Sequence, residues 1–147
     1  THAEEAYKTL WGTVERWVGA GSVLLPKNKV PKNYFHSQKS IDGFIRRKEN
    51  NLKKGKGFGW QIIDPDKPCY TITSRYWKDG SDALVKYSDT EIRYLTEKEA
   101  AAIQTFPPDY EFCGSKKDVF TQIGNAVPCL LAKAIAVTLM KVNKPIK

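Results

Sequence analysis

Arg93-Tyr94-Leu95-Thr96-Glu97-Lys98-Glu99-Ala100-Ala101-Ala102-Ile103-Gln104-Thr105-Phe106-Pro107-Pro108-Asp109-Tyr110 holds both a helix start and a helix stop. Thr96-Glu97-Lys98-Glu99 has the Ser/Thr-x-x-Glu form of a capping box, in which Thr96 accepts from a first-turn amide and Glu99 reaches back. Pro107-Pro108 cannot continue a helix and disfavours helical backbone just before it. The pattern predicts a helix over 97–105 and gives Glu99 a capping role rather than an acid or base role. Downstream, after a polar link, Gln122-Ile123-Gly124-Asn125-Ala126-Val127-Pro128 begins a second unit. Asn125 can cap a last helix whose first turn accepts Pro128, because early helical amides lack partners anyway. Val127, Leu130, Leu131, Ala134, Ile135, Val137 and Leu139 then cover a wide apolar face.

Upstream, Trp60-Gln61-Ile62-Ile63, the run 69–77 and Ala83-Leu84-Val85-Lys86-Tyr87 are β-branched and aromatic stretches separated by Asp-Pro-Asp-Lys-Pro and Lys-Asp-Gly turns. They predict a small antiparallel sheet. Residues 22–59 are punctuated by Pro26, Pro31, Gly43, Gly55, Gly57 and Gly59 and read mostly as loop, with a short helix over 41–49. Near the start, Ala6, Leu10, Val14, Trp17 and Val18 recur at helical spacing, which predicts an amphipathic helix over 3–18. No internal repeat or low-complexity tract interrupts the chain.

At 147 residues and 41% apolar composition the chain suits one domain, or one plus a docking appendage, and a multistep enzyme with its own cofactor domain does not fit. Cys69, Cys113 and Cys129 are widely spaced, odd in number and lack the spacing of a metal set, so no metal site and a reduced compartment are expected. No apolar run reaches the roughly 18 residues of a membrane span. A soluble, cytoplasmic protein is the expectation. The first residue, Thr1, suits a piece of something longer, although loss of an initiator Met leaves the same trace.

Charge is concentrated. Residues 27–56 hold ten bases against two acids, Asp42 and Glu49, an excess equal to the net charge of +8. A lysine-rich stretch can be merely a solvated loop. Here Tyr34, Phe35, His36, Gln38, Phe44, Asn50, Phe58 and Trp60 are interleaved, and planar and amide groups beside cations suit nucleic acid. An anionic membrane is the weaker partner, since no amphipathic helix accompanies the charge.

The stretch 93–110 resembles motif nine of the C5-cytosine DNA methyltransferases, whose pattern runs Arg-x-Leu-Thr-x-x-Glu, an apolar helix, Gln, a small residue and Phe-Pro. Residues 122–128 resemble motif ten of that family, and Lys67-Pro68-Cys69-Tyr70-Thr71-Ile72-Thr73-Ser74-Arg75-Tyr76 is similar to a strand and loop of its target-recognition region. The resemblance implies an α+β fold: a small mixed domain with a short antiparallel sheet, long basic loops and a C-terminal helix that docks on an absent catalytic domain. It divides the chain into a target-recognition region over 1–92, the motif-nine helix and link over 93–124, and the motif-ten turn and helix over 125–147.

The family's Pro-Cys-Gln nucleophile loop, Glu-Asn-Val strand and Phe-x-Gly-x-Gly cofactor turn are missing from these residues. Pro68-Cys69 lacks the following Gln, Glu49-Asn50-Asn51 lies in the basic loop, and the glycines over 55–59 neither follow a strand nor open a helix. The chain is therefore expected to hold no catalytic residue and to be inactive alone, as part of a larger S-adenosylmethionine-dependent DNA (cytosine-5)-methyltransferase of a restriction-modification system. Its expected partners are double-stranded DNA and a catalytic domain or large subunit. The resemblance gives Asn125 and Gly124 a share of the cofactor site, held mainly by the missing portion. A base inside a duplex must be swung out for such chemistry, which needs a gripping and reading surface. Arg46, Arg47, Lys53 and Lys54 are assigned to backbone phosphates, and Thr71, Thr73, Arg75 and Tyr76 to the major groove, with Arg93 organising the region and counted among the DNA contacts. The rival for Arg75 is an ion pair with Asp79 or Asp82. Two further readings are a non-enzymatic DNA-binding module and an RNA-directed relative.

Overall fold

The computed structural model describes residues 18–56 and 59–142. The helix expected over 3–18 lies outside the described residues apart from its last position. Three short 3-10 turns, Ala20–Val23, Lys27–Lys29 and Lys32–Tyr34, lead into helix α1, Gln38–Lys53. Ser37 caps α1 by accepting from the Ser40 amide, and Gly55, at φ 66°, sits just past its end. Ile41 and Phe44 are its buried residues. This helix, at 16 residues, is longer than the 41–49 expected, because the Ser37 cap starts it three residues earlier and it continues to Lys53, with Gly55 just beyond.

Strands β1, Leu84–Lys86, and β2, Ile92–Tyr94, pair antiparallel with Val85 opposite Arg93. Isolated bridges from Phe35 to Arg93 and from Ile62 to Leu84 extend this pair. The expected sheet is thus antiparallel but smaller, and its second strand comes from the motif-nine stretch. Residues 60–63 contribute only the Ile62 bridge, and residues 69–77 form no strand. The cause is helix α3, Lys116–Asn125, which packs on that flank. A Cβ at Gly124 would lie 2.3 Å from the Thr73 carbonyl carbon, so no strand can pair there. Thr121 Oγ1 instead donates to the Ser74 carbonyl.

Helix α2, Glu97–Ile103, opens with the predicted capping box, Thr96 and Glu99 satisfying each other's backbone amides. It stops two residues earlier than expected, at a turn where Thr105 adopts φ 58°. Helix α3 also starts on a capping box, Ser115 with Asp118, inside what had read as a polar link. Asn125 ends α3 rather than capping the last helix: Ala126 is extended, and α4 runs Cys129–Val142. The stretch Lys116–Lys141 is apolar and long enough to satisfy a membrane-span criterion. The break at Ala126 leaves α4 at 14 residues, roughly 21 Å at 1.5 Å per residue, short of the roughly 30 Å hydrocarbon core.

Ala20, Ile63, Ile72, Tyr76, Val85, Leu95, Ala100, Phe120 and Ile123 form one core that crosses the expected boundary at residue 92. A second cluster, Ile41, Phe44, Leu84 and Ile92, seats α1 on the strands, with Trp60 and Tyr94 at its edge. Between the two lies a buried ion pair. Arg93 donates to both Glu99 oxygens at 2.9 and 2.8 Å, to the Tyr94 carbonyl and to the Tyr87 hydroxyl. Glu99 also accepts from the amides of Leu25 and Thr96. Removing one member of such a pair strands the other charge, so Glu99→Ala should cost about 3–5 kcal/mol. Lys27→Ala, which breaks the exposed pair with Glu91, should cost less than about 1 kcal/mol. Urea midpoints of the two variants check both.

Candidate nucleic-acid interface and cofactor-side turn

The segment 71–76 alternates: Thr71, Thr73 and Arg75 are exposed, while Ile72 and Tyr76 are buried. Its backbone is held by α3 through Gly124 and Thr121, so the outward side chains stand on a fixed base. Thr73 Oγ1 donates to Asp82 at 2.8 Å. Arg75 forms no ion pair among the described residues, because Asp79 is engaged by Arg47 at 3.2 Å and Asp82 by Thr73. The proposed rival role of Arg75 is therefore not realised, and its guanidinium is available to a ligand.

Two expected DNA contacts are corrected. Tyr76 is 1% exposed, donates to the Ala83 carbonyl and accepts from the Leu95 amide. Its burial pushes the phenol well above its ordinary pKa. Arg93 is 0% exposed, with its guanidinium spent on Glu99, Tyr94 and Tyr87. Neither can reach a duplex. Arg46, Lys53 and Lys54 are exposed on or beside α1. Arg47 is exposed too, lying over the Phe44 ring and paired with Asp79. Sequence reasoning missed Lys78, which is exposed beside the Trp77 ring in the turn after Arg75. Its signal was the Lys-Asp-Gly turn, where Gly80 at φ 63° brings the backbone against Tyr94.

Gly124 and Asn125 sit side by side at the end of α3 but face different tasks. The missing side chain of Gly124 is explained by the Thr73–Ser74 backbone, which already fills the space. Asn125 is exposed, and no described residue bonds its side-chain amide. The segment 68–72, the 102–105 turn and the start of α4 line a cleft of about 660 Å³ beside this turn. Cys69 is half-buried there, and burial pushes its thiol up to about 11, so it stays protonated at neutral pH and makes a poor nucleophile. No cluster of three or more His, Cys, Asp or Glu that could hold a metal occurs among the described residues. On α4, Leu130, Leu131, Ile135, Val137 and Leu139 are all exposed, as the apolar pattern of that helix anticipated.

The profile of the C-5 cytosine-specific DNA methylase family matches residues 4–141. The chain belongs to that family. Type II methyltransferase M1.ScrFI of Lactococcus lactis subsp. cremoris is 35% identical over 83% of this chain and 31% of its own length. M.AplI of Arthrospira platensis is 45% identical over 95% of this chain and 43% of its own length. M.AquIB of Picosynechococcus sp. is 37% identical over 75% of this chain and 88% of its own length. The chain thus spans about a third of the first of these C5 methylase relatives and most of the last. The crystal structure of S. pombe Dnmt2 methyltransferase shares the fold, with a TM-score of 0.68 at 15% identity, over 96% of this chain and 48% of that one.

Two measurements separate packing from chemistry at this site. Gly124→Ala should lower stability by about 1–3 kcal/mol without any cofactor present, because the new methyl meets backbone rather than a yielding side chain. A melt unchanged from the parent would return Gly124 to a ligand role. A thiol reagent at pH 8 should label exposed Cys113 well before Cys69, read by peptide mass.

Proposed function

We propose that this chain is the DNA-recognising, cofactor-side C-terminal portion of a DNA (cytosine-5)-methyltransferase of a restriction-modification system, either continuous with its catalytic portion or a separate small subunit. The observation that carries the reading is a pair of surfaces on one core: an outward, unpaired Arg75 on a braced loop, and an apolar α4 left open. A methylase of this family works on DNA, and the basic α1 with Arg75, Thr71 and Thr73 supplies phosphate grip and base reading. An arginine bidentate to guanine discriminates by about 1–3 kcal/mol. The α4 face is the size and character of a surface that a partner covers, and the relatives' additional length supplies that partner. M.AquIB, most of which aligns here, supports a separate small subunit as a workable form. S-adenosylmethionine supplies the methyl group when bound. In this reading the missing portion holds most of it and Asn125 contacts one edge. In this reading the chain alone transfers nothing, because the family's Pro-Cys-Gln nucleophile loop belongs to the missing portion.

Mixing the chain with a catalytic-portion polypeptide from a full-length relative and following transfer of a labelled methyl group to DNA tests this. Activity should appear only in the mixture; activity of the chain alone, or none from a folded pair, would defeat the proposal. In the active pair, Arg75→Ala should weaken binding to the preferred duplex about 5- to 150-fold, the equivalent of about 1–3 kcal/mol, and binding to a scrambled duplex far less. Equal losses on both would make Arg75 a phosphate contact.

A further inference from the structure

A cleft of about 390 Å³ lies between the start of α1 and the Lys78–Asp79 turn that follows the 71–75 loop, on the α1 side of it. Its lining includes His36, Ser37, Ser40, Arg47, Lys78 and Asp79. Cations from two separate elements therefore converge on one small polar hollow. Lys78 has no carboxylate within ion-pair distance among the described residues. Arg47 reaches Asp79 through a single nitrogen at 3.2 Å, with both side chains substantially exposed. Such exposed pairs contribute little and yield easily to a better anion. The Ser37 and Ser40 hydroxyls lie 3.0 Å apart at the amide end of a 16-residue helix, where the backbone field favours negative charge.

One atom in the cleft wall is unaccounted for. His36 Nε2 is buried without a hydrogen-bond partner among the described residues. Burial lowers the imidazole pKa, against an opposing pull from the neighbouring Asp79. A buried polar atom without a partner is unfavourable, so this wall of the cleft is not fully satisfied by the protein's own groups. With a single carboxylate against two cations, a metal ion is a poor occupant. An oxyanion is a good one.

We propose that this cleft seats one phosphodiester of the DNA backbone, with Arg47 leaving Asp79 for the phosphate, Lys78 meeting it from the other side and the Ser37–Ser40 hydroxyls completing the seat. The proposal rests on the DNA-reading function above. It adds a role for Asp79: this carboxylate occupies the guanidinium when DNA is away and competes with the phosphate for it. Asp79 also accepts from the Ser81 amide, a bond that asparagine can keep.

Anisotropy titrations of a labelled duplex by the full chain, over a series of salt concentrations, test this with Arg47→Gln, Lys78→Gln, their double variant, Asp79→Asn and a control, Lys98→Gln, an exposed lysine on α2 outside the cleft and outside the proposed DNA contacts. Each single cleft variant should weaken binding and flatten the logarithmic salt slope, and the double variant should lose about 0.9 of slope in all, the value of one phosphate. Asp79→Asn should bind more tightly than the parent, and more so than Asp89→Asn, which removes an equal charge elsewhere. Slopes that fall by the full amount twice in the double variant, or an Asp79→Asn variant no tighter than Asp89→Asn, would overturn the shared seat. If the parent chain binds no duplex even with its catalytic portion, the DNA reading itself fails. If the parent binds while the cleft variants match Lys98→Gln, the seat alone fails.

Discussion

The Arg93–Glu99 pair is the joint on which the rest of the structure is assembled. Arg93 leaves the sheet at β2, and Glu99 sits in the first turn of α2, so their contact fixes the corner between strand and helix. Glu99 simultaneously closes its own capping box and holds the Leu25 amide, which ties in a segment 74 residues away. Desolvating both charges is unfavourable, and only dense hydrogen bonding offsets it. Here each carboxylate oxygen accepts at least twice, and the guanidinium is bonded on all three nitrogens. The pair therefore specifies one arrangement of η-turns, sheet and helix rather than adding greatly to stability.

From that joint the chain spreads in two directions. Towards one side, the second cluster seats α1 and its cations against the strands. Towards the other, α2 packs with α3, and the 104–105 turn holds the start of α4 through the Gln104 carbonyl and the Thr105 hydroxyl. The loop 71–76 lies between, with Ile72 and Tyr76 in the core and Gly124 against its backbone. A glycine that resemblance linked to a cofactor thus has a second and sufficient reason to be small.

What could be read from the residues was whatever is local. The Thr96–Glu99 box spans three positions, and its geometry follows from its residue types. Ser115 with Asp118 obeys the same rule and could have located α3, but the motif-ten resemblance drew attention to a turn instead. The run 69–77 has the alternation of a strand, yet pairing depends on a neighbour that no local pattern reveals, and α3 takes that place. Arg93 and Tyr76 looked like ligand contacts because charge and aromaticity do not disclose burial. Arg75, one residue from Tyr76, was legible as the foremost base-reading candidate, and its freedom emerged when Asp79 and Asp82 proved to be engaged elsewhere. The α4 face was the converse case: seven apolar positions with no partner in the sequence implied exposure, and all but Ala134, which is half-buried, are exposed.

The account reduces to a division of labour on one small body, with nucleic acid met by α1 and the 71–75 loop and the catalytic portion met by α4. Hydrogen-exchange mass spectrometry of the 147-residue chain, alone, with duplex DNA and with a catalytic polypeptide, reads both surfaces in one experiment. The catalytic polypeptide should slow exchange across Cys129–Val142 while α1 exchanges as before, and the duplex should slow α1 and the 71–75 loop while α4 is unchanged. Protection of α4 by DNA, or an α4 that exchanges as freely beside the catalytic polypeptide as without it, would contradict the account.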